Sequence, residues 1–243
     1  MFIIILFLAL LPAALLWLYV WKKDPNKEPT GQLVKATLLG AVICIPVAVW
    51  EVIVSEIFLD GADEATSVLG VLVDAFMVAA IPEECAKLLV LWLFLRKNRN
   101  YDEHFDGIIY AVCVGLGFAA VENVFYVMDD EDWLFVAIFR GLLSVPGHYA
   151  FAVLMGYYYS VYHFVDHSKK AAARVLLVPI VAHGIYDVLA MGWGLNPIVG
   201  VICFLVLIAF CVKIHLFARK KMNSLAPKNV EGLPPAPPKG EGR

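Results

Sequence analysis

Seven apolar segments follow one another along this chain, and each is about as long as a helix must be to cross a bilayer, roughly 20 residues. They cover residues 2–21, 36–59, 68–95, 108–128, 133–164, 175–193 and 197–217. Hydrophobic residues make up 61% of the chain and charged residues only 17%, which is typical of a polytopic membrane protein. Because lipid offers no hydrogen bonds to the backbone, we expect an all-α bundle of about seven transmembrane helices.

The loops between these segments alternate in charge. Basic residues follow the first, third, fifth and seventh segments: Lys22, Lys23, Lys27 and Lys35; Arg96, Lys97 and Arg99; Lys169, Lys170 and Arg174; Lys213, Arg219, Lys220 and Lys221. The loops after the second and fourth segments carry acids and no Lys or Arg. By the positive-inside rule, the N-terminus lies outside and the C-terminus in the cytoplasm, which requires an odd number of spans.

The fifth segment is too long for one span, because 32 helical residues exceed a hydrocarbon thickness of about 30 Å. Pro146 and Gly147 are predicted to break it into a shallow piece, 133–145, and a true span from about His148. The chain is predicted to form one transmembrane domain over residues 1–218. A disordered, Pro-rich cytoplasmic tail is expected over 219–243.

The third segment carries Glu83, Glu84 and Lys87 in the middle of an apolar run. A charge at the bilayer centre costs about 2.5 to 3.5 kcal/mol on insertion scales, so such groups usually mark a functional site. Helical spacing places Glu83 on the face of Lys87 and turns Glu84 toward a neighbouring sector. The simpler interpretation is a neutralised structural pair, but one lysine cannot balance two carboxylates.

Three later segments contribute further buried polar groups: Glu122 and Asn123; Arg140 and His148; His183 and Asp187. His183 and Asp187 share a helix face at i,i+4, so each can orient the other. Glu51 lies near the outer end of its segment, where a charge is cheap, and it is interpreted as structural. The five cysteines show no metal-binding spacing and are expected to be small buried hydrophobes.

A glutamate with two histidines is a ligand set typical of zinc, and a second glutamate can act as the general base for water. The HExxH signature of soluble zinc proteases is absent, so the ligands would have to come from different helices. Buried acids, histidines and an arginine are also found in proton-coupled transporters and channels. That alternative is disfavoured because no inverted repeat of the acidic segments is visible.

Four motifs in this order resemble the PrsW family of bacterial intramembrane proteases, which belongs to a wider group with the CAAX prenyl proteases and the bacteriocin-processing enzymes. They are Glu83-Glu84-Cys85-Ala86-Lys87, the run from Phe118 to Glu122-Asn123, Arg140 with His148, and His183 with Asp187. Each motif is short, but together they span most of the membrane part of the chain. The CAAX enzymes have a histidine where this chain has Glu122.

The resemblance implies hydrolysis of a membrane-anchored protein, as in site-1 cleavage of an anti-sigma factor. It maps the paired glutamates of the family onto Glu83 and Glu84, and its essential histidine onto His183. The expected substrate is a single-pass membrane protein, the expected location is the bacterial cytoplasmic membrane, and contacts are expected with lipids but not with nucleic acid. Glu122 lies close to an outer acidic loop, which favours cleavage near the extracytoplasmic face.

The mechanistic hypothesis assigns a role to each buried polar residue. Glu83 or Glu84 takes a proton from water, and Asn123 or Arg140 stabilises the oxyanion. Lys87 balances the glutamates and Asp187 orients His183. The candidate metal ligands, for a zinc ion, are Glu122, His148 and His183.

Overall fold

The computed structural model describes residues 2–24, 26–58 and 66–225, which form helices and short connections without strands. The α-helices in these ranges are α1 (Phe2–Lys23), α2 (Thr30–Phe58), α3 (Val68–Val73), α4 (Ile81–Leu95), α5 (Asp106–Asp129), α6 (Trp133–Leu142), α7 (Ser144–Phe164), α8 (Lys169–Ala190) and α9 (Pro197–Ser224). A π-helical segment, Asp74–Ala80, joins α3 to α4, and a 3-10 turn, Met191–Gly194, follows α8. The predicted all-α fold is confirmed.

Six helical stretches are long and apolar enough to cross a membrane: Phe2–Lys23, Thr30–Phe58, Asp106–Asp129, Trp133–Phe164, Lys169–Gly194 and Pro197–Ser224. The remaining predicted segment, 68–95, is helical throughout, although four ionisable residues interrupt its apolar character. Together these stretches account for the predicted bundle of about seven spans. The chain is therefore a multi-pass membrane protein.

The fifth predicted segment is broken, as expected, but at Leu143, three residues before Pro146. The proline ring would clash with the carbonyl group of the residue four positions earlier, Leu142, which is the last residue of α6. Pro146 itself lies in the first turn of α7, where a missing N–H group costs little. The break lets α6 approach the polar site independently of α7.

The π-helical segment has a similar origin. Pro82 is the second residue of α4, and its ring restricts the carbonyl group of Val78 inside the preceding turn. The wider turn of a π-helix accommodates this restriction. Glu83 and Glu84 consequently lie in the first turn of α4, directly after the widened segment.

Helix α5 lies at the centre of the bundle, packed between α2 and α7. A Cβ atom at Gly117 of α5 would overlap the backbone oxygen of Thr37 on α2, and one at Gly156 of α7 would overlap that of Gly107 on α5. Small residues allow this close approach of helix backbones. The glycines at these contacts thus serve close helix packing, which fixes the position of the helix that carries Glu122.

Helix α9 continues to Ser224, beyond the predicted domain boundary at residue 218. The first residues of the predicted tail are therefore helical, and the remainder, from 226 to 243, lies outside the described residues. All five cysteines are free. The expected burial holds for Cys44, Cys113 and Cys211, whereas Cys203 is only half-buried. It is wrong for Cys85, which is exposed because it lies on the opposite side of α4 from Lys87.

Candidate active site

Helix α4 brings two carboxylates and an ammonium group together inside the bundle. Lys87 Nζ lies 2.8 Å from Glu83 Oε2 and 2.9 Å from Glu84 Oε1. All three side chains are almost completely buried. The sequence predicts only Glu83 beside the lysine, but a residue at i,i+3 is also a neighbour on a helix, and the ammonium contacts both acids.

Two histidines from other helices reach the same group. Nδ1 of His148, on α7, lies 3.2 Å from Lys87 Nζ, and Nδ1 of His183, on α8, lies 3.0 Å from Glu84 Oε1. Ligand atoms of Glu83, Glu84, His148 and His183 all lie within 4.8 Å of one another. The structure thus brings together residues that are far apart in sequence and that the motifs predicted separately.

The second nitrogen of each imidazole faces a further carboxylate. His148 Nε2 lies 2.7 Å from Glu122 Oε2, and His183 Nε2 lies 3.3 Å from Asp187 Oδ2. A metal-binding histidine usually donates its other N–H group to a carboxylate or carbonyl, which fixes the ring orientation. Both histidines therefore have the surroundings of metal ligands that bind through Nδ1.

Arg140, on α6, contacts three residues of α5. Its Nη2 lies 3.0 Å from Glu122 Oε1, and its Nε donates to Asn123 Oδ1 at 3.1 Å. The guanidinium carbon also lies 3.8 Å from the ring centroid of Tyr126. Asn123 in turn donates to the backbone oxygen of Ala9 on α1 at 2.7 Å. Asn123 is fully buried and holds Arg140 in position.

Close packing of α8 on the π-helical segment places His183. A Cβ atom at Gly184 would overlap the ring of Phe76, so only glycine allows α8 to lie this near. The His183 ring is also stacked on Phe151, at a centroid distance of 5.0 Å and an interplanar angle of 24°. These contacts direct His183 toward Glu84.

The polar group opens into a cavity of about 770 Å³. Six of the predicted site residues line it: Glu83, Glu122, Arg140, His148, His183 and Asp187. Glu84 and Lys87 lie behind this surface, where Lys87 Nζ is 4.2 Å from the ring centroid of Phe118. Glu83 is thus the member of the glutamate pair that faces the open space.

The chain matches a known protein family over most of its length. The profile described as PrsW family intramembrane metalloprotease matches residues 28–212, which include every residue of the site except Ala9. This chain belongs to the PrsW family. It is therefore a peptidase of the membrane, and the family that the four motifs suggested is confirmed.

Relatives named Protease PrsW support the assignment. The protein of Clostridioides difficile is 34% identical over 191 residues, which cover 76% of this chain and 78% of the relative. That of Oceanobacillus iheyensis is 29% identical and covers 75% and 81%. That of Bacillus subtilis is 30% identical and covers 72% and 78%. No solved structure matches this chain at a significant level.

The residues of this PrsW-family site fit a bound metal ion. Oε2 of Glu84 is buried and has no hydrogen-bond partner among the described residues, so an acceptor remains for a cation. In and directly behind the described cavity wall, seven carboxyl groups face two permanent cations, Lys87 and Arg140; the carboxyl groups are those of Glu51, Glu56, Asp74, Glu83, Glu84, Glu122 and Asp187. A divalent cation would compensate part of this excess negative charge.

The four clustered groups differ from the predicted ligand set. The two histidines are shared, but Glu83 and Glu84 occupy the place that the sequence assigns to Glu122. Glu122 lies behind His148 instead. Sequence spacing indicates which residues are buried but does not reveal which side of an imidazole a carboxylate approaches.

Glu51 lies at the cavity, although the sequence does not predict it among the site residues. It was interpreted as an interfacial charge, yet it lines the cavity together with Glu83. A signal was present in the sequence, because the small or polar residues of α2, Cys44, Ala48, Glu51 and Ser55, recur at helical spacing. All four of them line the cavity.

Proposed function

We propose that this protein hydrolyses a peptide bond of a single-pass membrane protein near the extracytoplasmic face, using a zinc ion held by Glu84, His148 and His183. The observation that carries the proposal is the cluster of two carboxylates and two imidazoles at the edge of a cavity, in a chain of the PrsW family. Two histidines and one glutamate, with a second glutamate as base, is an established ligand arrangement of zinc proteases.

The division of roles between the paired glutamates follows from their positions. Glu84 is deeply buried, accepts from Lys87 and lies beside His183, and its second oxygen has no partner among the described residues; these are the surroundings of a ligand. Glu83 faces the cavity, where water and substrate have access. Glu83 is accordingly the general base, and Lys87 balances the charge of both.

When bound, the zinc ion polarises the scissile carbonyl group and makes water a nucleophile at neutral pH. Glu83 accepts the proton of the attacking water and returns it to the leaving amine. Arg140 faces the same cavity and stabilises the negative charge that develops on the carbonyl oxygen. Asn123, Glu122 and Asp187 hold Arg140 and the histidines in place.

The position of the cavity supports a cut on the outer side. It is lined by the C-terminal halves of α2, α5 and α8, and each of these helix ends leads to an outer loop in the predicted topology. A substrate helix would present its outer third to the site. Mapping the cleaved bond to the cytoplasmic third of a substrate would contradict this orientation.

We further propose that the substrate is a regulator of the anti-sigma factor type and that the enzyme acts in the bacterial cytoplasmic membrane. The support is the resemblance that the motifs carry and the bacterial origin of the relatives. In such a pathway, the first cut on the outer side allows a second protease to release the transcription factor. A proton-coupled transporter, the alternative, receives no support from these relatives.

The test is metal analysis together with cleavage of a single-pass substrate, comparing the wild type with three variants in detergent. Glu83→Gln should keep stoichiometric zinc and lose hydrolysis by a factor of about 10² or more. Glu84→Gln and His183→Ala should lose zinc and hydrolysis together. Full hydrolysis by metal-free wild type would reject the zinc assignment, and cleavage unaffected by both glutamine substitutions would reject the site.

A further inference from the structure

A further carboxyl group, that of Glu51, adjoins the active site from α2, a helix that carries none of the predicted site residues. Glu51 lines the same cavity as Glu83, His148 and His183. Its Oε1 atom is buried and has no hydrogen-bond partner among the described residues. The Glu83 side chain lies within hydrogen-bonding reach of the Glu51 carboxyl group, so the two are neighbours, and it is Oε1 of Glu51 that is left without a partner among the described residues.

The other carboxylates near the catalytic residues each contact a charged group or an imidazole of the protein, and Oε2 of Glu84, which also lacks a hydrogen-bond partner among the described residues, is assigned to the metal ion. Glu122 lies against Arg140 and His148, Asp187 lies beside His183, and Glu84 accepts from Lys87. The ammonium of Lys87 is engaged by Glu83 and Glu84 and cannot serve Glu51 as well. A buried acceptor without a donor costs stability, and such acceptors in a site usually await a ligand group.

The substrate of an intramembrane protease supplies the missing donor. A peptide bond becomes accessible only when the chain around it leaves the helix, and its backbone N–H groups then lose their intrahelical partners. In an environment with little water each such group requires a new acceptor. A carboxyl oxygen can accept a hydrogen bond from a backbone N–H group whether the carboxyl group is ionised or neutral.

We propose that Glu51 is a substrate-binding residue that accepts a hydrogen bond from a backbone N–H group of the unwound substrate segment beside the scissile bond. This inference rests on the proposed function. It assigns to α2 the task of holding the substrate in extended form while Glu83 and the histidines act on the adjacent bond. The ligand that Glu51 recognises is a main-chain amide rather than a particular side chain.

The test uses a fluorescent single-span peptide with about 20 apolar residues and a helix-weakening outer third. Glu51→Leu removes the acceptor, whereas Glu51→Gln keeps one carbonyl oxygen. We expect Leu to raise KM about tenfold, the usual effect of one lost hydrogen bond, and Gln to stay within about threefold of the wild type. Zinc content should match the wild type, and the thermal midpoint of Glu51→Leu should not fall, because the substitution removes a buried acceptor that has no donor; loss of a purely structural residue would lower the midpoint.

The matched control is Glu56, which lies on the same helix, lines the same cavity and is exposed at its outer end. Glu56→Leu and Glu56→Gln make the same chemical changes and should leave KM unchanged. An equal rise of KM in the Glu51 and Glu56 variants would indicate a general effect of charge and overturn the proposal.

A series of peptides in which single amides near the cut are replaced by esters removes one N–H group at a time. At one position the ester peptide should bind the wild-type protein about tenfold more weakly than the all-amide peptide. Glu51→Leu should bind the two peptides with nearly equal affinity, because the ester and the substitution delete the same hydrogen bond. Additive effects at every position would overturn the proposal. If Glu51→Leu does not fold, the same comparison is made with Glu51→Ala.

Peptide affinity is also measured by fluorescence in chelator-treated protein. Failure of the wild type to cut the all-amide peptide would count against the proposed function. The affinity series would still decide the role of Glu51, because binding does not require the cut. Equal affinity of the wild type and Glu51→Leu for the all-amide peptide would reject the proposed role of Glu51.

Discussion

His148 Nε2 lies 2.7 Å from Glu122 Oε2, so the imidazole that offers Nδ1 to the site is supported from behind by a carboxylate. Glu122→Gln weakens this support without removing a ligand. We expect zinc affinity to fall by about 10- to 100-fold, as is usual when the carboxylate partner of a metal-bound histidine is lost. Competition titration with a zinc chelator measures the change.

The outcome also discriminates between two roles of Glu122. If it is a ligand, as the sequence alone suggests, the variant should lose zinc even at high metal concentration. If it orients His148, excess zinc should restore most of the hydrolysis. Glu56→Gln, a change of the same type in the same cavity, should leave zinc affinity unaltered.

The contacts of Arg140 depend on the planar shape of its guanidinium group, and Arg140→Lys tests this dependence. The guanidinium contacts Glu122, Asn123 and the ring of Tyr126 at once, and a lysine ammonium cannot reproduce this planar arrangement. We expect kcat to fall about tenfold or more, with the protein still folded and zinc still bound. Steady-state kinetics with parallel metal analysis would show this; a kcat equal to that of the wild type would mean that only the positive charge matters.

Much of the fold could be predicted from the sequence because the bilayer imposes simple rules. The length of the apolar segments predicts the helices, and Pro146 predicts the break in segment 133–164. The break lies at Leu143, because the proline ring clashes with the carbonyl group of the residue four positions earlier, Leu142. The end of α9 at Ser224 was missed because the basic residues after 218 mark the membrane boundary without ending the helix.

The site was only partly predictable, for a different physical reason. Burial of Glu83, Glu84, His148 and His183 follows from charge in apolar segments, but their convergence depends on helix rotation and packing. The contact of Gly184 with Phe76 sets the position of α8, and neither residue belongs to a polar motif. Glu51 was not predicted as a cavity residue because its distance from the end of the apolar segment does not show which face of α2 it occupies.

Burial of His104 in the connection between α4 and α5 predicts sensitivity to acid. Burial lowers the pKa of this imidazole below its usual value, and its ring packs 4.9 Å from that of Phe164. The unfolded chain therefore takes up a proton that the folded chain does not hold, so stability is complete above about pH 6.5 and falls as the pH decreases below it. His104→Gln should reduce the fall in thermal midpoint between pH 7 and pH 5 in the same detergent; an unchanged fall would show that other groups cause it.

Gly184→Ala should couple a packing defect to loss of metal. The added methyl group overlaps the ring of Phe76, so α8 must shift away from the π-helical segment and carry the neighbouring His183 away from Glu84. We expect a loss of about 1 to 3 kcal/mol in stability, the usual cost of overpacking, together with weaker zinc binding. Gly31→Ala is the matched control, because a Cβ atom there meets no neighbour, and it should be neutral. Adding Phe76→Ala to Gly184→Ala makes room for the methyl group and should restore part of the zinc affinity; a double variant as defective as Gly184→Ala alone would show that this contact does not position His183.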